Sequence, residues 1–454
     1  MDILLDNNIR LPDLSCAFTE TLKKSLTLEN PKWIENNNRG RWNGDTPRHL
    51  KYYSENEAEL ILPRGYMRPL INTCRHFGVD FEIKDLRRTL TPVNFKFHGK
   101  LKSFQESAAQ DILQKDFGVL TAATGAGKTV IGLYLIAQRA QPALVIVHTR
   151  ELLNQWISRI ETFLEIPKEE IGIMGGGTRT KGERITVGMV QTLYKHANMI
   201  APHVGYILVD ECHRTPSKTF NACITRFDCR YMTGLSATPW RRDKLSKLIF
   251  WHLGEKVHEV DTSRLVERGD IVKADIIIRE TAFESTTDPS QYYSRLMGEL
   301  VEDKTRNALI CSDIAKELER KSGICLVLSD RRAHCETLSA YLKYNHRIEA
   351  SVLTGDLTPK QRKLLLSKLE NKEVKVLIAT GQLVGEGFDC RDLTTLFLAT
   401  PVKFSGRLLQ YLGRVLRPSP GKKKARIFDY VDAKVGVLEA AARSRNHVYN
   451  RNVV

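Results

Sequence analysis

The chain of 454 residues is too long for one ordinary core, so two or three domains of about 150 residues are expected. Its 69 Lys and Arg against 53 Asp and Glu give a formal net charge of +16, which favours an anionic partner such as nucleic acid over a neutral metabolite. Nine cysteines without a CxxC pair argue against a disulfide framework and a zinc or iron-sulfur site; no export signal or run of about 18 apolar residues is present, and a reduced, cytoplasmic protein is expected.

Up to Phe97 the chain shows Asn/Gly turns, aromatics and alternating polarity, as in WIENNNRGRWNGDTPRHLKYYSENEAELILPRGY. This texture predicts a small α+β module over 1–97, with a helix near Met67 to Phe77. Within it Arg39, Arg41, Trp42, Arg48 and Lys51 stand beside Tyr52 and Tyr53. Such cations seek phosphate and such rings stack on bases, although the same rings would serve equally as the core of a small domain.

Beyond Phe97, apolar runs alternate with helix-like segments, the pattern of buried parallel strands in an α/β fold. GVLTAAT (118–124), ALVIVHT (143–149), ITVGMV (185–190), YILVDE (206–211) and YMTGLSAT (231–238) make a first lobe over 98–262. The mixed stretch 263–280, with its Gly-Asp turn signal, places a connection around 262–275. ICLVLSD (324–330), ASVLTG (350–355), VKVLIAT (374–380), TLFLAT (395–400) and ARIFDYV (425–431) make a second lobe over 268–454.

The chemistry sits at the ends of these strands. Thr124, Gly125, Ala126, Gly127, Lys128 and Thr129 form a phosphate loop: glycines let backbone N–H groups approach phosphate, Lys128 neutralises the β and γ groups of ATP, and Thr129 ligates Mg²⁺. In YILVDECH, Asp210 is the candidate Mg²⁺ ligand and Glu211 the residue that orients the attacking water, with His213 close behind. The flanking acids would raise the Cys212 pKa, which makes packing its expected role. Ser236, Ala237 and Thr238 form either a turn or an element coupling hydrolysis to movement.

In the second lobe, VLIATGQLVGEGFD sets Thr380 and Gly381 at a strand end and Gly385, Glu386, Gly387 and Asp389 on the turn after it. QYLGRVLR sets Gln410, Arg414 and Arg417 three to four residues apart, on one helix face. An arginine brought to the γ-phosphate stabilises transition-state charge and is worth about 10³ to 10⁵ in rate. Twelve Lys/Arg against three Asp/Glu lie between Pro401 and Val454, among them Lys422, Lys423, Lys424 and Arg426, read as a solvated loop or a phosphate contact.

From about Phe97 onward this series resembles the superfamily 2 helicases and translocases: Gln105 in LKSFQ, ATGAGKT, HTRELLNQW, GMVQT, DECH, SAT, GEGFD and QYLGRVLR. The resemblance implies two RecA-like parallel-sheet lobes, with Gln105 reading adenine and Asp389 touching the ribose. It further implies that Thr149, Arg150, Gly175, Gly176, Thr192 and Thr380 lie along a nucleic-acid track, contacting backbone without reading sequence. A Thr in the place of Thr149 is also a common helix cap.

DECH with GRVLR is more like the XPB, restriction-motor and phage recombination branches than the DEAD proteins. TPWRRDK follows the XPB Arg-Glu-Asp element only partly, through Arg242 and Asp243. The N-terminal segment resembles the substrate domain of UvsW-type phage branch-migration helicases. An ATP- and Mg²⁺-dependent DNA helicase or translocase acting on branched DNA, such as a fork or Holliday junction, is the resulting expectation. RNA helicase and the motor of a restriction or defence complex are the alternatives. A GTP switch or kinase is disfavoured because Asn371-Lys372-Glu373-Val374 lacks the Asp of a guanine signature, and a non-catalytic scaffold because Lys128, Glu211, Arg414 and Arg417 are all present.

Overall fold

A computed structural model of the protein describes residues 1–12, 16–38, 40–123, 125–214, 218–237, 245–320, 323–381, 383, 390, 392–402 and 405–452. Two compact units result, residues 1–122 with 127–260, and residues 123–126 with 261–454.

The first unit opens with strands β1 (Asp2–Leu5), β2 (Asn8–Pro12), β3 (Thr27–Glu29), β4 (His49–Lys51), β5 (Ser54–Glu55), β6 (Glu59–Pro63) and β7 (Glu82–Asp85). Five of them form a sheet in the order β5-β6-β2-β1-β7, and β3 pairs with β4. Side chains alternate buried and half-buried along β1 and β2, as expected of a sheet with one covered face. The helix Met67–Phe77 buries Met67, Leu70 and Cys74 at helical spacing and stops at Gly78, whose φ of 62° is a left-handed cap that glycine adopts without strain.

This N-terminal module shares its core with the first lobe. Leu248 and Trp251, on the helix Lys247–Leu253, pack among Ile3, Ile9, Leu62 and Leu70, and Trp251 meets the rings of Tyr52 and Tyr66 at 5.5 and 6.1 Å. Gly65 passes so close to that helix that a Cβ would stand 2.2 Å from the Phe250 carbonyl oxygen. Arg64 is buried and donates to the Cys229 carbonyl at 2.7 Å and to Met232 Sδ at 3.3 Å. Burial pulls its pKa below the usual arginine value. Arg87 bridges Asp85 and Asp116, and Arg88 pairs with Asp228.

Next come β8 (Phe117–Thr121), β9 (Ala143–Val147), β10 (Gly172–Gly175), β11 (Thr178–Thr180), β12 (Ile185–Met189), β13 (Tyr206–Val209), β14 (Tyr231–Ser236) and β15 (Lys256–Glu259). They lie in the order β11-β10-β12-β9-β13-β14-β8-β15, parallel throughout except for the edge pair β10/β11. Every residue of β9 and β13 is buried, which explains their unbroken apolar runs. Parallel pairing brings the carboxyl ends of seven strands to one edge, where open α/β sheets bind ligands.

The second unit is an all-parallel sheet of β16 (Lys273–Glu280), β17 (Ile324–Ser329), β18 (Ser351–Leu353), β19 (Val376–Thr380), β20 (Leu393–Leu398) and β21 (Lys424–Val431), ordered β16-β21-β20-β17-β19-β18. The two lobes are RecA-like. The connection placed at 262–275 is overrun at its end: β16 begins at Lys273 and pairs with β21 over eight residues, its half-exposed edge position accounting for the weak pattern. Buried ion pairs bind this sheet to its helices, notably Arg306 with Asp432 at 2.8 Å and Arg445 with Asp429 at 2.7 Å.

Candidate nucleotide and nucleic-acid sites

The neighbouring strands β13, β14 and β8 carry the acids, the small-residue cluster and the phosphate loop at their carboxyl ends. Gly125 and Gly127 have φ of 95° and 79°, in the left-handed region where a side chain would be strained. Gly127 also makes room for Gln105: a Cβ there would stand 2.5 Å from Gln105 Nε2. Gln105 is held by its own helix, Ser103–Leu113, where its Oε1 accepts the Lys102 N–H at 2.9 Å. The helix Lys128–Arg139 starts at the loop; Lys128 Nζ donates to the Ala122 carbonyl at 3.0 Å, and Thr129 occupies the first turn, half-buried. Thr124 lies outside the described residues.

Asp210 follows β13 and is buried. Its Oδ1 accepts the Glu211 N–H and its Oδ2 accepts the Trp156 Nε1–H, both at 2.8 Å. Burial, and then the Glu211 charge, push its pKa up to about 6, while the Trp156 N–H and Lys128 oppose the rise. Glu211 takes a φ of 49°, a costly backbone state for a non-glycine residue that tends to mark functional sites. His213 Nδ1 lies 3.2 Å from Glu211 Oε2 and 3.2 Å from Ser236 Oγ, so the acidic strand end and the cluster Ser236-Ala237 form one network. Thr238, Arg242 and Asp243 lie outside the described residues. Burial first, and then the two acids, push the Cys212 thiol well above its ordinary pKa, in keeping with its place in the lobe core.

This donor set fits Mg²⁺. Two carboxylates on adjacent residues repel one another in a buried site, and a cation that keeps most of its water and takes one or two protein oxygens would relieve them. Asp210 and Thr129 are the residues that would hold it.

The remaining candidates of the first lobe lie at or just beyond the carboxyl ends of β9, β10 and β12, which are also neighbours. Thr149 caps the helix Arg150–Leu164, its side chain accepting the Leu152 N–H at 3.3 Å. Gly175 ends β10 against Met189 and Leu153; a Cβ on Gly176, with φ of 62°, would come within 3.3 Å of Arg150 Nε. Thr192 is the third residue of the helix Val190–Ile200, which follows β12 directly. Thr149, Arg150, Gly175, Gly176 and Thr192 therefore share one sheet edge.

In the second unit Thr380 ends β19, beside Ser329 of β17. A Cβ on the next residue, Gly381, would stand 2.3 Å from Tyr411 Oη, so this strand end backs directly onto the helix Ser405–Val415. Gln410 and Arg414 are buried on that helix, and Arg417 follows it half-buried. Gly385, Glu386, Gly387 and Asp389 lie outside the described residues.

The cluster Lys422 to Arg426 fits neither reading offered for it as a whole. Lys422 Nζ is turned inward onto the carbonyls of Leu393, Val415 and Arg417, closing the end of the arginine-bearing helix, and burial lowers its pKa to about 8. Lys424 pairs with Asp275 and Arg426 with Glu317, both at 3.1 Å.

Two known families match in tandem, "Type III restriction enzyme, res subunit" over residues 98–241 and "Helicase conserved C-terminal domain" over 304–419. The chain belongs to the superfamily 2 helicases. These are ATP-dependent motors that bind nucleic acid. The helicase is 23% identical over 449 residues to the ATP-dependent DNA helicase uvsW of Enterobacteria phage T4, covering 91% of this chain and 86% of the relative. It is 25% identical over 354 residues to the DNA 3'-5' translocase XPB2 of Sulfurisphaera tokodaii, covering 70% and 79%. Against the putative ATP-dependent RNA helicase L396 of Acanthamoeba polyphaga mimivirus the identity is 24% over 435 residues, covering 90% and 79%.

The supporting contacts of three residues were not read from the sequence. Trp156 stands in the quoted run HTRELLNQW; a buried indole N–H needs an acceptor, and DECH offered one. Lys422 was hidden in a surface-like basic run. Arg64 in LPRGY gave no local sign that it would be buried. Among the described residues, no helix is long and apolar enough to cross a membrane.

Proposed function

We propose that this helicase is an ATP-driven DNA translocase that remodels branched DNA, forks and four-way junctions, in recombination, repair or replication. The observation that carries this reading is Trp42. It is 91% exposed next to the exposed Arg41, whereas Tyr52 and Tyr53 are half-buried against the module's core. A large ring left in water beside a cation is suited to stacking on an unpaired base, as junctions expose. The module that carries this ring shares its core with the first lobe. The DNA names carried by the phage and archaeal relatives support the same polymer.

In this reading Lys128 and the loop amides bind the ATP phosphates, Gln105 the adenine and Asp389 the ribose; Thr129 and Asp210 hold Mg²⁺, which supplies charge neutralisation when bound. Glu211 orients the attacking water, with His213 fixing its carboxylate. Gln410, Arg414 and Arg417 stabilise charge on the transferred phosphoryl group. Ser236, Ala237 and Thr238, joined to Glu211 through His213, couple the step to the track. Along the track Arg150, with the hydroxyls and glycines near it, and Thr380 grip backbone phosphates.

The test is ATPase and unwinding on a matched panel of single-stranded, linear duplex, forked and four-way DNA and RNA. Strongest stimulation by forked or four-way DNA is expected, and Trp42→Ala with Arg41→Ala should reduce that preference. Strongest stimulation by RNA, the polymer named for the mimivirus relative, would overturn the assignment.

A further inference from the structure

The amino-terminal ends of the second lobe's strands, the edge away from Thr380 and Gly381, enclose a cavity of about 470 Å³. Six cations line it, Lys372, Lys375, Lys422, Lys423, Lys424 and Arg426, against two acids, Glu317 and Asp392. Each acid is already matched: Arg426 and Thr395 hold Glu317 at 3.1 Å, and Lys372 lies 3.6 Å from Asp392. Lys424 pairs with Asp275 and Lys422 is spent on three carbonyls. The side chains of Lys375 and Lys423 are exposed at this cavity and make no ion pair or hydrogen bond among the described residues.

We propose that this cavity is a second phosphate-binding site, which takes the phosphodiester backbone of nucleic acid outside the helicase track. With Asp275 counted against Lys424, an excess of three positive charges in one concavity focuses the field and draws an anion. Among the described lining residues there is no aromatic ring, so nothing offers a platform for a base. The free cations are lysines, mobile point charges that fit backbone phosphate without reading sequence. Lys375 precedes β19 and Thr380 ends it, so this cavity and the track end on β19 are separated by about 16 Å at the usual strand rise. The two sites therefore contact phosphates about five base-pair rises apart or on a second arm of a branched substrate. The proposal rests on the reading above that nucleic acid is the substrate.

The experiment measures binding of fluorescently labelled forked DNA across a salt series for wild type and the Lys375→Glu/Lys423→Glu double variant. Lys343→Glu/Lys363→Glu, exposed positions elsewhere on the same lobe, makes the same charge change as a control. Thermal melting verifies that each variant is folded. The log–log salt slope of the first variant should shrink by about 0.9 to 1.8, one or two phosphates, relative to both wild type and control. A slope equal to that of the control overturns the proposal. So does a variant that loses thermal stabilisation by inorganic tripolyphosphate yet keeps the wild-type DNA slope, since the site would then serve free phosphates. Failure of the wild type itself to bind DNA would refute the proposed function instead.

Discussion

Trp156→Phe removes one N–H from the helicase and keeps most of an aromatic ring. The indole donates to Asp210 Oδ2 at 2.8 Å inside the lobe and restrains the rise of a carboxyl whose pKa burial has already pushed to about 6. A hydrogen bond to a charged group is worth about 1.5–3 kcal/mol, and 1.36 kcal/mol corresponds to one pKa unit, so losing it should raise the Asp210 pKa by about one to two units. At pH 7 the ionised fraction would fall from about nine tenths to between roughly a half and a tenth. With Asp210 holding Mg²⁺ as proposed, protons would compete with the ion for this carboxylate, and the Mg²⁺ concentration for half-maximal ATPase should rise about two- to tenfold at pH 7. The acid limb of the pH profile should move up by about one to two units, with near-wild-type turnover recovered at pH 9 and high Mg²⁺. The ring also packs where a Cβ on Gly132 would come within 3.0 Å of it, so some loss of melting temperature accompanies the change. A lowered melting temperature with an unmoved acid limb and unmoved Mg²⁺ dependence would show that Trp156 only fills the core.

Lys128→Ala should abolish ATP hydrolysis while nucleotide-free DNA binding, read by anisotropy, survives. Lys422→Met should free the carbonyls that end the arginine-bearing helix and lower kcat more than it changes KM, by roughly tenfold for each ~1.4 kcal/mol of lost order there. His334 is buried neutral between Ser329 Oγ and Asn307 Oδ1, with burial and then Arg306 lowering its pKa to about 3. Its stabilisation is complete above the unfolded value of about 6.5 and is lost as pH falls towards 3, so urea midpoints should drop by an amount equivalent to about 2 kcal/mol between pH 6.5 and 5. His334→Gln should flatten that dependence.

The strands of both lobes were legible because a fully buried parallel strand must be apolar at every position. All ten runs read as strands overlap observed strands, from β8 to β21. Some exposed edge strands were not legible for the same reason reversed, although the short edge strand β18 was read from ASVLTG. β11, every residue of it exposed, has no apolar run, and β16, half-exposed with only Ala274 buried, sets its short run Ile276–Ile278 among charged residues, because water or loose packing satisfies one of their faces. The N-terminal module's chemistry was ambiguous in the sequence for Trp42, Tyr52 and Tyr53 alike. Whether a ring is covered depends on the partner surface, here Trp251, nearly two hundred residues away.

The proposed phosphate loop, acids and arginine helix could be named from sequence because each rests on particular residues at fixed local spacing. What holds them in place could not, because those supports act across the fold. Asp210 depends on Trp156 from another strand's helix, Glu211 on His213 and through it Ser236, and the end of the Gln410–Arg414 helix on Lys422. Each support is a polar group that burial obliges to find a partner, so a buried donor facing a motif is a better guide to such residues than the motif itself. Arg64 shows the same logic on the far side of the sheet. It is a buried cation that donates to the Cys229 carbonyl just before β14 and to the Met232 sulfur on it, which ties the N-terminal module to the strand that ends in Ser236. If that tie transmits substrate engagement, Arg64→Met should lower the stimulation of ATPase by forked DNA more than it lowers nucleotide-only turnover. Equal loss of both would mark Arg64 as a support of the fold alone.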